Sequence, residues 1–317
     1  MATLPVIDLA EFSDQNQSKN MLEASCYWGC FRVINHGIPG PLQSQMKAAV
    51  RALFDLLDDV KRRNTDIIYS SGYLTPTLKN PLYEGFGLYN YDASSQTDVD
   101  AFCSLLDAPV HVRETIKTYA EKSHEVIVNI ATKLGESMDL KDQNFGAWPC
   151  HFRFNKYNFA QVSAGSNGLQ IHTDAVFLTL LQEDECVGGL EILVPGSDSF
   201  VEVDPLPGSL LVNVGDIAQA WSNGLLHNVK HRVRCKDAIP RFSIAVTHRA
   251  DTPTHGTGRW DGIFCIHLTA RQPTSQTEKE QNGCQLQSSV TAHPNTPLVY
   301  RHSTLIAPAL HRALSGG

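Results

Sequence analysis

Three residues in the second half of the chain have the types and spacing to hold a metal. In the run Gln170–Asp174 a histidine and an aspartate stand two positions apart, at His172 and Asp174. On a strand, residues i and i+2 share a face, so the imidazole and the carboxylate project together while Ile171 and Thr173 project the other way. A nitrogen and an oxygen on one face suit a borderline divalent metal. The run Asn228–Cys235 alternates too: Lys230, Arg232 and Arg234 share a face that must be wet, so Val229, His231 and Val233 face inward. A buried histidine needs a partner. Two histidines and one carboxylate form the facial set of non-haem iron sites, which leaves three coordination positions open, two for a bidentate co-substrate and one for dioxygen. His227 has the same parity as His231 and competes with it. It follows Leu225-Leu226 after the Asn223-Gly224 turn signal, so its position favours His231 as the inward residue.

Arg241 and Ser243 share a strand face ten residues past His231. A guanidinium holds a carboxylate through a planar fork, and a serine hydroxyl adds a donor. Beside a metal, that clamp suits a 2-oxo acid. Asn155 and Tyr157 share a face on the run His151–Phe159, and Tyr157 offers a further hydroxyl. Any one of these pairs alone is commonly structural. Their joint order within one β-rich region is specific.

The elements that must position these residues follow from periodicity. Short β-rich runs alternate with turn signals from Trp148 to Val246, the pattern of a sandwich or barrel. The runs are 151–159, 168–174, 177–182, 190–193, 200–203, 209–214, 228–233 and 241–246. Before them the chain mixes strands and helices. Pro5–Leu9 and Cys30–Gly37 read as strands with a helix through Met21–Tyr27 between them. Pro41–Leu57 is helical, with Met46, Val50, Leu53 and Leu57 on one side. Asp58–Asn64 reads as a charged surface stretch and Ser71–Gly87 as a loop. Pro109–Met138 reads as one or two helices. Residues 250–317 change character again, rich in Thr, Pro and His, with Ile263–Leu268 and Leu305–Leu314 as their plausible elements. The expected organisation is an N-terminal mixed α/β region (1–147), a β core (148–249) and a divergent C-terminal tail (250–317) in which poor order is expected.

Composition narrows the partners. The 317 residues carry 26 Lys and Arg against 33 Asp and Glu, a formal net charge of −7. That balance gives no long-range attraction to phosphate backbones, so nucleic acid is not an expected partner. No run of about 18 apolar residues exists, so no membrane-spanning helix is expected. The first residues lack a basic segment followed by an apolar run, so no signal peptide is expected. Eight cysteines without a CxxC pair read as reduced thiols in a cytoplasmic protein, and a monomer is the default.

The chain resembles plant 2-oxoglutarate- and Fe(II)-dependent dioxygenases. Trp28–Ile38 (WGCFRVINHGI) resembles their N-terminal signature, and Trp221–Val233 (WSNGLLHNVKHRV) resembles the segment carrying their distal histidine. The resemblance is closer to the subgroup of dioxygenases for auxin oxidation, through stretches such as MKAAVRALFDL, NPLYEGFGLY, HTDAVFLTLLQEDECVGGLE and VDPLPGSLLVNVGD, and it covers about residues 3–247. It implies an α+β, mainly β fold: a double-stranded β-helix (jelly-roll, cupin-like) core with an N-terminal helical region. It implies Fe(II) on His172, Asp174 and His231, which settles the choice against His227. It implies 2-oxoglutarate on Arg241 and Ser243 with Tyr157 as auxiliary, and ascorbate as reductant. The implied reaction, with O2, is oxidation of indole-3-acetic acid to 2-oxindole-3-acetic acid, releasing succinate and CO2. Such a substrate needs an aromatic wall, for which Phe177, Phe86, Tyr83 and Trp221 are the candidates, Phe177 first because it lies three residues past Asp174. The sequence departs from the subgroup at Val176, where a small residue is usual, and from about Thr247 onward. Two alternatives stay open: the same mechanism on another plant small molecule (a phenolic, an alkaloid or a gibberellin-like acid), or a product impaired by its divergent C-terminus.

Overall fold

A computed structural model of the chain describes residues 4–65, 72–91, 97–140 and 143–249. The tail 250–317, with its two expected elements, lies outside the described residues.

The N-terminal strands β1 (Val6–Asp8) and β2 (Cys30–Ile34) pair in parallel, with Val6 opposite Arg32. Between them runs α1 (Gln15–Tyr27), whose first turn is capped by the Asp14 side chain accepting from the Asn16 N–H. The sequence predicts this helix only from Met21. Its first turns are polar and bury nothing before Met21, so periodicity cannot find the start. The predicted helix after Pro41 is α2 (Gly40–Phe54), which buries Leu42, Met46, Val50 and Leu53. The charged stretch that follows contains the short α3 (Asp58–Lys61). Lys61 turns inward there, its Nζ 3.1 Å from Glu84 Oε1.

The expected loop at 71–87 is where the fold differs most from the sequence reading. Tyr83–Tyr91 forms β3 and pairs with β4 (Cys150–Tyr157) from Tyr83↔Tyr157 onward. Gly85, a loop signal in the sequence, serves the strand: a Cβ there would stand 2.6 Å from the Tyr83 hydroxyl. The helices α4 (Thr97–Leu105) and α5 (Val110–Ser137) follow. The second is one continuous helix burying Val112, Ile116, Tyr119, Val126, Ile130 and Leu134. No helix among the described residues is long and apolar enough to cross a membrane.

The eight predicted β-runs are all strands. After β4 come β5 (Asn167–His172), β6 (Leu178–Gln182), β7 (Leu190–Leu193), β8 (Phe200–Glu202) and β9 (Leu210–Val214). A short helix, α6 (Asp216–Trp221), precedes β10 (His231–Arg234) and β11 (Arg241–His248). A seven-stranded sheet has the order β1-β2-β9-β6-β11-β4-β3, and a four-stranded sheet the order β5-β10-β7-β8. Together they make the double-stranded β-helix, with every α-helix of the described residues except the short α6 in the N-terminal region.

Alternation on the large sheet creates two cores. Phe31, Phe86, Phe152, Phe154, Leu180, Val212, Ile244 and Val246 face outward and join the α2 and α5 side chains in one apolar cluster. Cys30, Tyr157, Leu181 and Leu211 face inward and meet Leu190, Ile192, Val229 and Val233 of the smaller sheet side. The polar residues of the same inward parity have nowhere to go but the barrel interior.

Candidate active site

The interior of the barrel holds a cavity of about 340 Å³. At one side of it His172, at the end of β5, faces His231, at the start of β10, across the register pair that joins the two strands. Their rings stand 4.2 Å apart between centroids. Asp174, in the turn after β5, places Oδ1 3.7 Å from the Nε2 of each histidine. The three side chains offer one ligand atom each, all within 4.8 Å of one another. His227 is not part of this cluster.

Each ligand atom is oriented by a second contact. His172 Nδ1 lies 2.8 Å from the Gln170 carbonyl and His231 Nδ1 3.2 Å from the Val229 carbonyl. A carbonyl oxygen only accepts, so each Nδ1 is the donor there and each Nε2 is the atom turned toward Asp174. The Thr179 hydroxyl donates to Asp174 Oδ2 at 2.7 Å, which leaves Oδ1 for the centre. Burial alone would raise the Asp174 carboxyl, but the two imidazoles and the hydroxyl and amide of Thr179 and Asn213 more than offset this, and it is held below its ordinary value. Burial, with His231 beside it, lowers His172 and keeps that ring neutral. Two imidazole nitrogens and a carboxylate oxygen, all within 4.8 Å of one another, are a donor set that fits a divalent iron.

The cavity wall opposite is built by β4 and β11, whose register sets Tyr157 against Arg241 and Asn155 against Ser243. Arg241 is buried, and its Nε has no hydrogen-bond partner. Its guanidinium carbon lies 5.3 Å from the Tyr157 ring centre. Ser243 Oγ accepts from Asn155 Nδ2 at 3.2 Å, and Asn155 Oδ1 accepts from the Tyr83 hydroxyl at 2.8 Å. A buried guanidinium with an unspent donor, in the same cavity as His172, Asp174 and His231, fits the distal carboxylate of a 2-oxo diacid.

The candidate aromatic wall divides. Tyr83 lines the cavity. Phe177, Phe86 and Trp221 do not: all three are buried in the outward cluster between the large sheet and the helices. The chain turns between Asp174 and Phe177, Phe86 has the outward parity of β3, and Trp221 sits on α6. The sequence reading missed His151, Arg153 and Thr247, which continue the inward faces of β4 and β11 past Asn155 and Ser243. Extending the same alternation by two pairs would have found them. It also missed Asn213, Thr179 and the support behind Arg241. Val176, the departure noted in the sequence, lines the cavity near Asp174.

Residues 148–250 match the 2OG-Fe(II) oxygenase superfamily, and residues 4–102 match the N-terminal family described as non-haem dioxygenase in morphine synthesis. The 2-oxoglutarate-dependent dioxygenase DAO of Oryza sativa subsp. indica is 58% identical over 249 residues, which are 78% of this chain and 82% of the relative. The chain belongs to the 2OG-Fe(II) oxygenase superfamily. As a 2-oxoglutarate-dependent dioxygenase it uses Fe(II) and takes a small-molecule substrate with O2. Two solved oxygenases share its shape. The crystal structure of dioxygenase for auxin oxidation (DAO) in rice superposes with a TM-score of 0.70 at 58% identity, covering 78% of this chain and 83% of that one. Dioxygenase for auxin oxidation 1 from Arabidopsis thaliana, in its binary complex with 2-oxoglutarate, superposes with a TM-score of 0.76 at 46% identity, covering 80% and 94%.

Proposed function

We propose that this oxygenase converts indole-3-acetic acid to 2-oxindole-3-acetic acid, consuming 2-oxoglutarate and O2 and releasing succinate and CO2. The observation that carries the substrate is the 58% identity to rice DAO over most of both chains. The cavity supports it. Arg241 and Ser243 offer one anchor for an acid, and Arg153 brings a second cation to the same cavity. The aromatic wall available on the cavity is Tyr83 and Tyr157, whose rings lie 5.6 Å apart, and not the phenylalanines of the core.

In this reading His172, Asp174 and His231 hold the iron, and Arg241 with Ser243 binds the distal carboxylate of 2-oxoglutarate while Tyr157 packs against the guanidinium. The iron, when bound, supplies dioxygen activation coupled to decarboxylation of the 2-oxo acid. The chain's own part is placement. Thr179 and Asn213 fix the Asp174 carboxylate. Leu169, Leu181, Leu190 and Val233 make the interior apolar and keep bulk water from the reacting centre. Burial keeps the Tyr157 hydroxyl protonated by raising it above its ordinary value.

We assign the catalytic core to residues 148–249 and its N-terminal support to 1–147. We place the protein in the cytoplasm as a monomer with ascorbate as reductant; the cysteines among the described residues are all free thiols, as that compartment requires. The test is mass spectrometry of one mixture holding the purified chain, Fe(II), ascorbate and 2-oxoglutarate, opened to air with and without indole-3-acetic acid. Succinate and a product about 16 Da heavier than the substrate, both dependent on the indole acid, are expected. Succinate without that product discards the substrate and keeps the mechanism.

A further inference from the structure

Behind Arg241, at the inner end of the barrel, three charges lie buried in a row. Glu183 follows β6 with the inward parity of Thr179 and Leu181. Arg32 sits on β2, also facing inward. The side chains of Arg32 and Glu183 are each 6% exposed and that of Arg241 is 1% exposed. Arg32 Nη1 donates to Glu183 Oε2 at 2.7 Å, and it also reaches Ser209 Oγ at 3.2 Å. Its other terminal nitrogen donates to the Asp204 carbonyl. Arg241 Nη2 stands 3.8 Å from Glu183 Oε1, within ion-pair range and outside hydrogen-bond range. Neither Glu183 Oε1 nor Arg241 Nε has a hydrogen-bond partner. Glu183 is therefore committed to Arg32 and engages Arg241 only loosely. Neither Arg32 nor Glu183 lines the cavity.

We infer that Arg32, without touching the co-substrate, sets the preference for a 2-oxo diacid by occupying Glu183 and so leaving the Arg241 guanidinium to the ligand. This rests on the reading that Arg241 receives the distal carboxylate. Two guanidiniums and one carboxylate leave one positive charge in excess in a region shielded from water. A ligand carboxylate at Arg241 cancels that excess; a neutral group in the same place leaves it buried and uncompensated, which is costly. Without the Arg32 charge, Glu183 has one cation left and turns to it. The Nη2–Oε1 gap closes, the row becomes neutral, and an arriving carboxylate meets a paired guanidinium. Without the Glu183 charge the opposite holds: Arg241 has no internal competitor and the excess doubles. Burial pushes the Glu183 carboxyl above its ordinary value, and the two guanidiniums pull it back toward the charged form.

Two substitutions must then act with opposite sign. The measured quantity is the ratio of affinities for 2-oxoglutarate and 2-oxopentanoate, which has the same 2-oxo acid end and a methyl in place of the distal carboxylate. It is read by calorimetry on the metal-loaded protein, without turnover. Arg32→Gln is expected to lower the ratio by on the order of tenfold to a hundredfold. Glu183→Gln is expected to raise it by about threefold or more. A merely structural role lowers binding of both acids together and leaves the ratio unmoved. If R32Q does not fold, E183Q decides alone. A ratio unchanged in R32Q, or lowered in E183Q, overturns the inference. Arg241→Met separates this failure from failure of the clamp: it must abolish discrimination between the two acids, and if it does not, Arg241 is not the site of the distal carboxylate.

Discussion

Phe177 distinguishes a residue near the site in sequence from one that touches the substrate. Its ring is fully buried and meets Phe145 at 5.4 Å, Trp148 and Trp221 at 5.2 Å, and His248 at 6.3 Å between centroids. Its backbone ties two elements together: its N–H donates to the His248 carbonyl at 2.9 Å and its carbonyl accepts from Gly215 at 3.0 Å. Phe177→Ala removes a ring with no exposed surface from a cluster of large aromatics that cannot all move inward. The expected cost is about 3–5 kcal/mol. For a domain of this size each kcal/mol lowers the melting temperature by about 2–4 °C, so the midpoint should fall by roughly 6–20 °C. Calorimetry or urea unfolding followed by tryptophan fluorescence measures it directly. Phe177→Leu keeps the site apolar and filled, so its KM for the indole acid, measured well below its midpoint, should stay within about twofold of the parent. A tenfold rise in KM for F177L at an unchanged melting temperature would refute this reasoning and return Phe177 to the substrate wall.

Three further outcomes are expected. His231→Ala should abolish binding of Fe(II) or Mn(II) in a metal titration while His227→Ala retains it; the reverse pattern sinks the ligand assignment. A Cβ on Gly215 would stand 2.1 Å from the Val176 carbonyl and 2.6 Å from that of Asp174, so Gly215→Ala must push the turn that carries Asp174. Metal affinity should fall by about tenfold to a hundredfold, as when support behind a metal ligand is lost, and an unchanged affinity would show that the turn yields freely. His248 is lowered to about 4, chiefly by burial, with the hydrogen bond to the Phe145 carbonyl opposing the shift. The unfolded chain binds this proton near 6.5 and the folded one only near 4. The stabilisation is therefore complete above about pH 6.5 and is lost as pH falls through that window, by about 3 kcal/mol in total. His248→Leu should flatten the fall in unfolding free energy between pH 7 and pH 4.5, and an unaltered slope would assign it to other groups.

Strand alternation made the cavity legible in advance. His231 could be turned inward because Lys230 and Arg232 could not be, and Arg241, Ser243, Asn155 and Tyr157 follow from the same two-residue period. The reading failed where that period stops. Phe177 is only three residues from Asp174, but a turn intervenes and parity does not carry across it. Trp221 sits on α6, a helix too short to show a period. The β3 strand escaped because Gly85, which makes room for the Tyr83 ring, and Gly87 are residue types that also mark loops. Arg32 and Glu183 are 151 residues apart, and no local pattern announces a pair formed only when the sheet closes.

That closure sets a timing problem for synthesis. Both edges of the large sheet, β1 and β3, come from the N-terminal third of the chain, and β2 pairs with β9 from Cys30↔Asn213 to Val33↔Leu210. About 180 residues separate β2 from this partner, so at a ribosomal rate of about 5–20 residues per second β2 waits roughly 10–35 s for it. Throughout that interval Phe31 and Val33 lack the sheet that backs them, and the arginine between them has no barrel interior to enter. α1 can shelter the apolar pair, whereas Arg32 gains its partner Glu183 only after β6 has been made. The yield of native enzyme should therefore depend on how the nascent chain is chaperoned during this pause, and only weakly on the stability of the finished fold.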